Sequence, residues 1–126
     1  MTAGLRSLAR EALGRLRLPA CEVGVLVCDD RRISALNGRY RGKDAATDVL
    51  SFPDGEALPE GGRYLGDVAI SLETAARQAA ERGVPVVREL ELLLLHALIH
   101  LAGHDHERDG GEMERLEGSL RRELLP

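Results

Sequence analysis

The segment that decides the fold is RELELLLLHALIHLAG, residues 88–103. From residue 92 to residue 102 every position except the two histidines is apolar. Leucines would occur on all sides of the helix that this pattern predicts, so we expect the helix to be buried. His96 and His100 interrupt the apolar run four residues apart, which places both rings on one face. Imidazoles in an apolar interior need partners for their ring nitrogens, because unsatisfied polar groups and repelling charges are both costly there.

All four histidines of the chain lie in one window, HALIHLAGHDH, residues 96–106. A divalent cation would accept the ring lone pairs and keep the imidazoles neutral. Gly103 favours a helix end, since glycine readily takes the left-handed conformation, and a turn there would bring His106 back toward the first two histidines. If the helix continued instead, His104 would extend the same face, so His104 stays an alternative third ligand.

The spacing H-x3-H-x5-H, with a glycine after the second histidine, is that of the metzincin zinc proteases. Those enzymes keep a glutamate general base directly after the first histidine, where this chain has Ala97. We therefore expect a metal site with a coordination position open to water, but no peptidase. A structural metal, which usually has four protein ligands, and a metal-free cluster of core histidines are the alternatives.

The rest of the chain predicts an α+β fold of one domain over residues 1–126. Alternating hydrophobicity and turn residues predict strands at residues 22–28, 47–53 and 66–71. Helical periodicity predicts a first helix that ends near residue 19 and four further helices, at residues 30–39, 72–82, 86–102 and 112–124. The second and third strands can pair across the loop at residues 54–63, with a further edge strand near residues 63–65. We expect a small mixed β-sheet of about four strands covered by about five helices, with the metal site at the end of the buried central helix.

Composition limits the classes of function. The net charge of −4 disfavours a protein held to nucleic acid by overall charge, so an RNA partner would have to meet a local basic patch. The N-terminal segment lacks the apolar region of a signal peptide, and the longest apolar stretch, residues 92–102, is too short to span a bilayer. We expect a cytoplasmic protein with no membrane partner. We also expect buried free thiols at Cys21 and Cys28, with one disulfide between them as the alternative.

The histidine window resembles the signature H-G-x-L-H-L-x-G-Y-D-H of the YbeY endoribonucleases, a family of bacterial rRNA maturation factors. Three further segments agree with that family in order and spacing: LNGRYRGKDAATDVLSFP at residues 36–53, YLGDVAIS at residues 64–71, and GEMERLE at residues 111–117. The departures are Ala97 in place of glycine, His104 in place of tyrosine, and Ala46 in place of proline.

The resemblance implies one zinc ion bound by His96, His100 and His106, although imidazole ligands also suit other divalent transition metals. It implies cleavage of single-stranded RNA by a metal-bound water, in 16S rRNA 3′-end maturation and ribosome quality control, with the small ribosomal subunit as partner and no DNA. Arg41 matches the family's arginine in YRGKD, and we expect it to stabilise the developing charge of the phosphate. A ribosome-assembly binding factor with a structural metal, or a metallohydrolase of another substrate, are the alternative functions.

Other polar residues near these motifs have less definite roles. Asp105 would either orient an imidazole or cap a turn. We expect Asp67 to be structural and Met113 to belong to the core. Tyr40 could stack on a base, but we expect its side chain to be half-buried.

Overall fold

The computed structural model describes residues 3–18, 20–103 and 111–125. Its elements follow the predicted order and are α1 (Ala3–Arg15), β1 (Glu22–Cys28), α2 (Asp30–Arg41), β2 (Val49–Ala57), β3 (Arg63–Ser71), α3 (Leu72–Arg82), α4 (Val86–Leu101) and α5 (Glu112–Leu124). The predicted α+β class, with a small mixed sheet and five helices, is confirmed. The sheet has three strands in the described part of the chain, rather than about four.

Strand β3 lies at the centre of the sheet, in the order β1-β3-β2. It is parallel to β1 and antiparallel to β2, so the predicted pairing across the Gly- and Pro-rich loop is confirmed. The expected extra edge strand at residues 63–65 is the first part of β3. Residues 54–57, expected to lie in the loop, continue β2. The register shifts between Pro53 and Glu56, which lets an edge strand pass a proline that cannot donate a hydrogen bond.

Gly66 allows β2 and β3 to approach each other closely at this irregularity. Its φ angle is 144°, and a Cβ atom placed there would collide with the backbone carbonyl oxygen of Phe52. Only glycine adopts such a conformation without strain and leaves that space open. This close approach of the two strands sets the position of β2, which packs against α4, the helix that carries His96 and His100.

Helix α4 forms the centre of the core, as its composition predicts. Its fully buried side chains are Leu94, Leu95, Ala97, Leu98 and Ile99. The buried faces of α1, β3 and α5 join α4 in one hydrophobic cluster. Burial of each large aliphatic side chain stabilises the fold by about 1.5–3 kcal/mol, so α4 is held rigidly and its two histidines with it.

A polar network connects the start of α2 with the start of α3. Asp29 caps α2, and Ser71 caps α3. The carboxylate of Asp30 accepts hydrogen bonds from the hydroxyls of Ser71 and Thr74 and forms an ion pair with Arg77. These donors, the two hydroxyls above all, lower the pKa of Asp30 to about 2.

Two further expectations concern the thiols and the membrane. Cys21 and Cys28 are free cysteines, as predicted, but both are partly exposed rather than buried. Among the residues described, no helix combines the length and apolarity needed to cross a bilayer.

Candidate active site

Two imidazoles meet on one face of α4. The ring centroids of His96 and His100 are 4.8 Å apart, and the rings stand edge to face at 72°. Both side chains are half-buried and line a cavity of about 500 Å³. The four-residue spacing in a rigid, buried helix produces this pair directly, since side chains at i and i+4 lie one above the other.

Glu117 of α5 holds the ring of His96. One carboxylate oxygen of Glu117 lies 2.9 Å from Nδ1 of His96, and the other lies 3.2 Å away. The carboxylate can only accept, so it fixes the hydrogen on Nδ1 and leaves the lone pair on Nε2. This hydrogen bond is the main cause that raises the pKa of His96 above its usual value, while burial opposes it.

The sequence interpretation did not identify Glu117 as a site residue. A histidine that binds a metal usually donates its other N–H to a carboxylate or carbonyl group, and Glu117 is in that position. The acidic segment GEMERLE contains several carboxylates, and only the packing of α5 against α4 selects one of them.

Charged residues of both signs surround the two histidines in the cavity. They are Arg41, Asp48, Arg82, Glu89, Glu117 and Arg121. Arg41 lies at the end of α2, is exposed, and donates a hydrogen bond to the backbone carbonyl of Ser51 at 3.4 Å. The segment RYRGK, residues 39–43, contains three basic residues. Arg39 and Lys43 are also exposed but do not line this cavity, so Arg41 is the one of the three that lies beside the histidines.

Glu89 is the most deeply buried charged residue of the cavity, at 1% exposure. One of its carboxylate oxygens lies 3.4 Å from Arg82, and the other has no hydrogen-bond partner in the described part of the protein. A buried carboxylate with an unsatisfied oxygen is costly unless water or another donor reaches it. In the sequence, Glu89 is indicated only indirectly, as an acidic residue at the start of the most apolar helix.

The third predicted metal ligand, His106, lies outside the described residues, as do His104 and Asp105. Within residues 3–18, 20–103 and 111–125, no group of three potential metal ligands comes together. The residues that are described nevertheless fit a metal site. Two neighbouring imidazoles face one cavity, and a carboxylate orients one of them, as in zinc sites with histidine ligands.

Three further predicted residues have definite positions. Met113 is fully buried, as expected. Asp67, an exposed residue of β3, accepts a hydrogen bond from the hydroxyl of Tyr64. The expectation that Tyr40 is half-buried is wrong: Tyr40 is 59% exposed, because its ring contacts Phe52 and the guanidinium of Arg39 but is not enclosed by the core.

Comparison with known proteins agrees with this architecture. The family model described as Endoribonuclease YbeY matches residues 2–124. The chain is 51% identical over 120 residues to Endoribonuclease YbeY of Anaeromyxobacter sp. (strain Fw109-5), covering 94% of this chain and 62% of that protein. It is 49% identical over 107 residues to Endoribonuclease YbeY of Aquifex aeolicus (strain VF5), covering 85% of this chain and 70% of that protein.

A solved structure has the same fold. The solution structure of TM1509 from Thermotoga maritima aligns with a TM-score of 0.67 and 27% sequence identity, over 95% of this chain and 78% of that one. The chain spans less than two thirds of the length of several curated relatives, among them 62% and 64% for two of the most similar. The match of the family model over nearly the whole chain, together with the shared fold, establishes that this protein belongs to the endoribonuclease YbeY family.

Proposed function

We propose that this protein is a metal-dependent endoribonuclease that cleaves phosphodiester bonds of single-stranded RNA. The observation that carries the proposal is the convergence of three features on one cavity: the paired imidazoles, the carboxylate on His96, and the Arg41 guanidinium. The names of the relatives support RNA as the substrate class. The absence of a glutamate after His96 argues against a peptidase of the metzincin type.

We propose that His96, His100 and His106 hold the metal ion, and that it is zinc. When bound, such an ion supplies a water molecule of lowered pKa and positive charge for a phosphate oxygen. The role of the protein is to keep these imidazoles neutral and in place for the metal ion. Glu117 keeps the proton of His96 on Nδ1, so that Nε2 is available as a ligand, and the burial of α4 holds the two rings in fixed positions.

Arg41 would neutralise charge on the phosphate as the bond breaks. Its guanidinium lines the histidine cavity at the end of a helix and is exposed to solvent, so it is accessible to an RNA backbone. A planar guanidinium donates two parallel hydrogen bonds to a phosphate. Because charge increases on the phosphate oxygens in the transition state, this contact accelerates the reaction more than it strengthens substrate binding.

The proposal also covers the substrate of the enzyme and its location in the cell. We propose that the substrate is the 3′ end of 16S rRNA on the small ribosomal subunit, in the cytoplasm. The net charge of −4 gives little general attraction for RNA. Local contacts near Arg41, and contacts with the ribosomal partner, must then supply most of the affinity.

The first test removes one imidazole. We expect His100→Ala to lose both zinc binding, measured with a chromogenic chelator, and cleavage of a labelled single-stranded RNA, while its circular dichroism spectrum stays that of a folded protein. Wild-type protein treated with chelator should lose cleavage and regain it when zinc is returned. Cleavage by His100→Ala at the wild-type rate would refute the proposal.

A second variant separates the phosphate contact from the metal site. We expect Arg41→Ala to bind zinc normally and to cleave RNA about 100-fold more slowly, which is typical for loss of one transition-state contact. Arg31→Ala is the matched control, because Arg31 is also exposed but lies at the other end of α2. Zinc binding by wild-type protein without any RNA cleavage would instead support the assembly-factor alternative.

A further inference from the structure

A second, larger cavity adjoins the histidine cavity. It has a volume of about 830 Å³ and lies between α2 and the sheet. Arg41, Ser51 and Pro53 line both cavities, so the two meet along these residues and Arg41 stands at their junction. A volume of this size is within the range of small-molecule sites. An RNA strand with one phosphate at Arg41 would therefore have the adjacent nucleotide at the mouth of the larger cavity.

The aromatic residues of the protein converge on this larger cavity. The whole sequence contains only Tyr40, Phe52 and Tyr64 as aromatic residues. Tyr40 and Phe52 line the cavity with their ring centroids 5.2 Å apart. The hydroxyl of Tyr64 lies against Gly24 and Asp67, which are two further lining residues. Two of the three aromatic side chains thus line one cavity and the third contacts its lining, and the ring of Tyr40 is 59% exposed rather than packed in the core.

Apolar and planar surface dominates the interior of the cavity. The apolar lining residues, other than the two aromatics, are Val25, Leu26, Leu36, Pro53, Val68 and Ala69. Leu26 is 42% exposed although it lies in a strand. Exposed aliphatic and aromatic surface of this kind is unfavourable in water unless a flat, apolar group covers it at some stage.

Charged residues of both signs line or border the larger cavity. Arg41 lies where the cavity meets the histidine cavity, and the guanidinium of Arg39 lies 5.5 Å from the centroid of the Tyr40 ring. Asp67 of the sheet also lines the cavity and is hydrogen-bonded to Tyr64. A phosphate is attracted to Arg41 and repelled by Asp67, so a nucleotide would bind with its phosphate at Arg41 and its base against the apolar lining.

From this arrangement we propose that the larger cavity is a nucleobase subsite. An unpaired base next to the phosphate held by Arg41 enters the cavity, stacks on the ring of Tyr40 and contacts the ring of Phe52, which is tilted by 59° to that of Tyr40. The inference rests on the proposed function, since it assigns part of the RNA substrate to this surface. It also explains a restriction to single strands, because a base within a duplex is already stacked and paired and cannot enter.

The first experiment measures base recognition without any cleavage. Adenosine 5′-monophosphate and ribose 5-phosphate carry the same phosphate, and only the former has a base. We expect adenosine 5′-monophosphate to shift the backbone amide NMR signals of Leu26 and Ala69 and to bind about ten-fold more tightly than ribose 5-phosphate, the range typical of one stacked base. Equal affinity of the two compounds, or shifts confined to residues outside this cavity, would overturn the subsite.

Variants at Tyr40 connect the subsite to the ring itself. Tyr40→Ala should lower the affinity for adenosine 5′-monophosphate about ten-fold and leave that for ribose 5-phosphate unchanged. Tyr40→Phe keeps the ring and should bind like wild type. Because Tyr40 is exposed, the alanine variant should fold normally, which its urea unfolding curve checks. Loss of binding in both variants, or in neither, would contradict stacking on this ring.

RNA cleavage distinguishes failure of the subsite from failure of the proposed function. With a short single-stranded RNA, we expect Tyr40→Ala to raise KM about ten-fold with little change in kcat. If wild type and Tyr40→Ala cleave with the same KM, the subsite is wrong and the endoribonuclease proposal stands. If adenosine 5′-monophosphate binds in the cavity but wild-type protein with zinc cleaves no RNA, the subsite stands as a nucleotide site and the proposed function fails.

Discussion

Replacement of Glu117 by glutamine tests whether this carboxylate prepares His96 to bind a metal. The carboxylate oxygen lies 2.9 Å from Nδ1, and the side chains of His96 and Glu117 are only 31% and 19% exposed. The contact is thus better shielded from water than a surface ion pair. Glutamine keeps the size of the side chain but removes the charge. Loss of such a partner typically weakens metal binding about 10- to 100-fold, which corresponds to about 1.4–2.8 kcal/mol.

The assay is a zinc titration against a competing chelator for wild type, Glu117→Gln and Glu114→Gln. Glu114 is the matched control, because it lies on the same helix, is exposed, and undergoes the same chemical change. In the metal-free protein, NMR titration should give a lower pKa of His96 in Glu117→Gln than in wild type, since the bond to Glu117 raises it. Unchanged zinc affinity together with an unchanged pKa of His96 would refute a positioning role for Glu117.

The same pair predicts how stability depends on pH in the metal-free protein. The pKa of His96 is raised in the folded state, so the pair contributes its full stability below the unfolded-state pKa of His96 and loses it as the pH rises through the folded-state pKa. Glu117→Gln should therefore reduce the free energy of unfolding at about pH 5 and have little effect at about pH 9. Urea unfolding at the two pH values measures the difference, and an equal loss at both would contradict the linkage.

Two further predictions concern the fold. Gly66→Ala should lower the free energy of unfolding, measured with urea, by about 3 kcal/mol, since its Cβ would collide with the Phe52 backbone. The control is Gly55→Ala, also at positive φ but with open space around it, which should lower the same free energy by only about 1 kcal/mol. Equal losses in the two variants would contradict the collision. The pKa of Asp30 is lowered to about 2, so its contribution is present above its ordinary pKa and disappears as the pH falls through about 2. Asp30→Asn should therefore flatten the decrease in Tm over this acid range, and an unchanged slope would show that the polar network does not stabilise the fold.

The positions of the helices and most strands could be predicted because each depends on local pattern. The apolar segment of α4 is a property of neighbouring residues, and the structure has a buried helix there, as predicted. The extent of β2 could not be predicted in this way. Pro53 and Gly55 ordinarily end a strand, and β2 continues past them only because β3 pairs with it across an irregular register.

The common face of His96 and His100 could be predicted from the sequence, but the residues around them could not. The spacing of His96 and His100 fixes their common face, whatever the rest of the chain does. Glu117 is 21 residues from His96 in the sequence, and its choice among several carboxylates depends on how α5 packs. The exposure of Tyr40 likewise depends on where α2 ends relative to the sheet, which the periodicity of a short helix does not determine.

The helix at the centre of the core is also the helix that carries the paired imidazoles. The packing of the interior and the placement of the two rings therefore depend on the same helix. A substitution that replaces a buried leucine of α4 and loosens the interior should consequently also change the distance between the rings of His96 and His100.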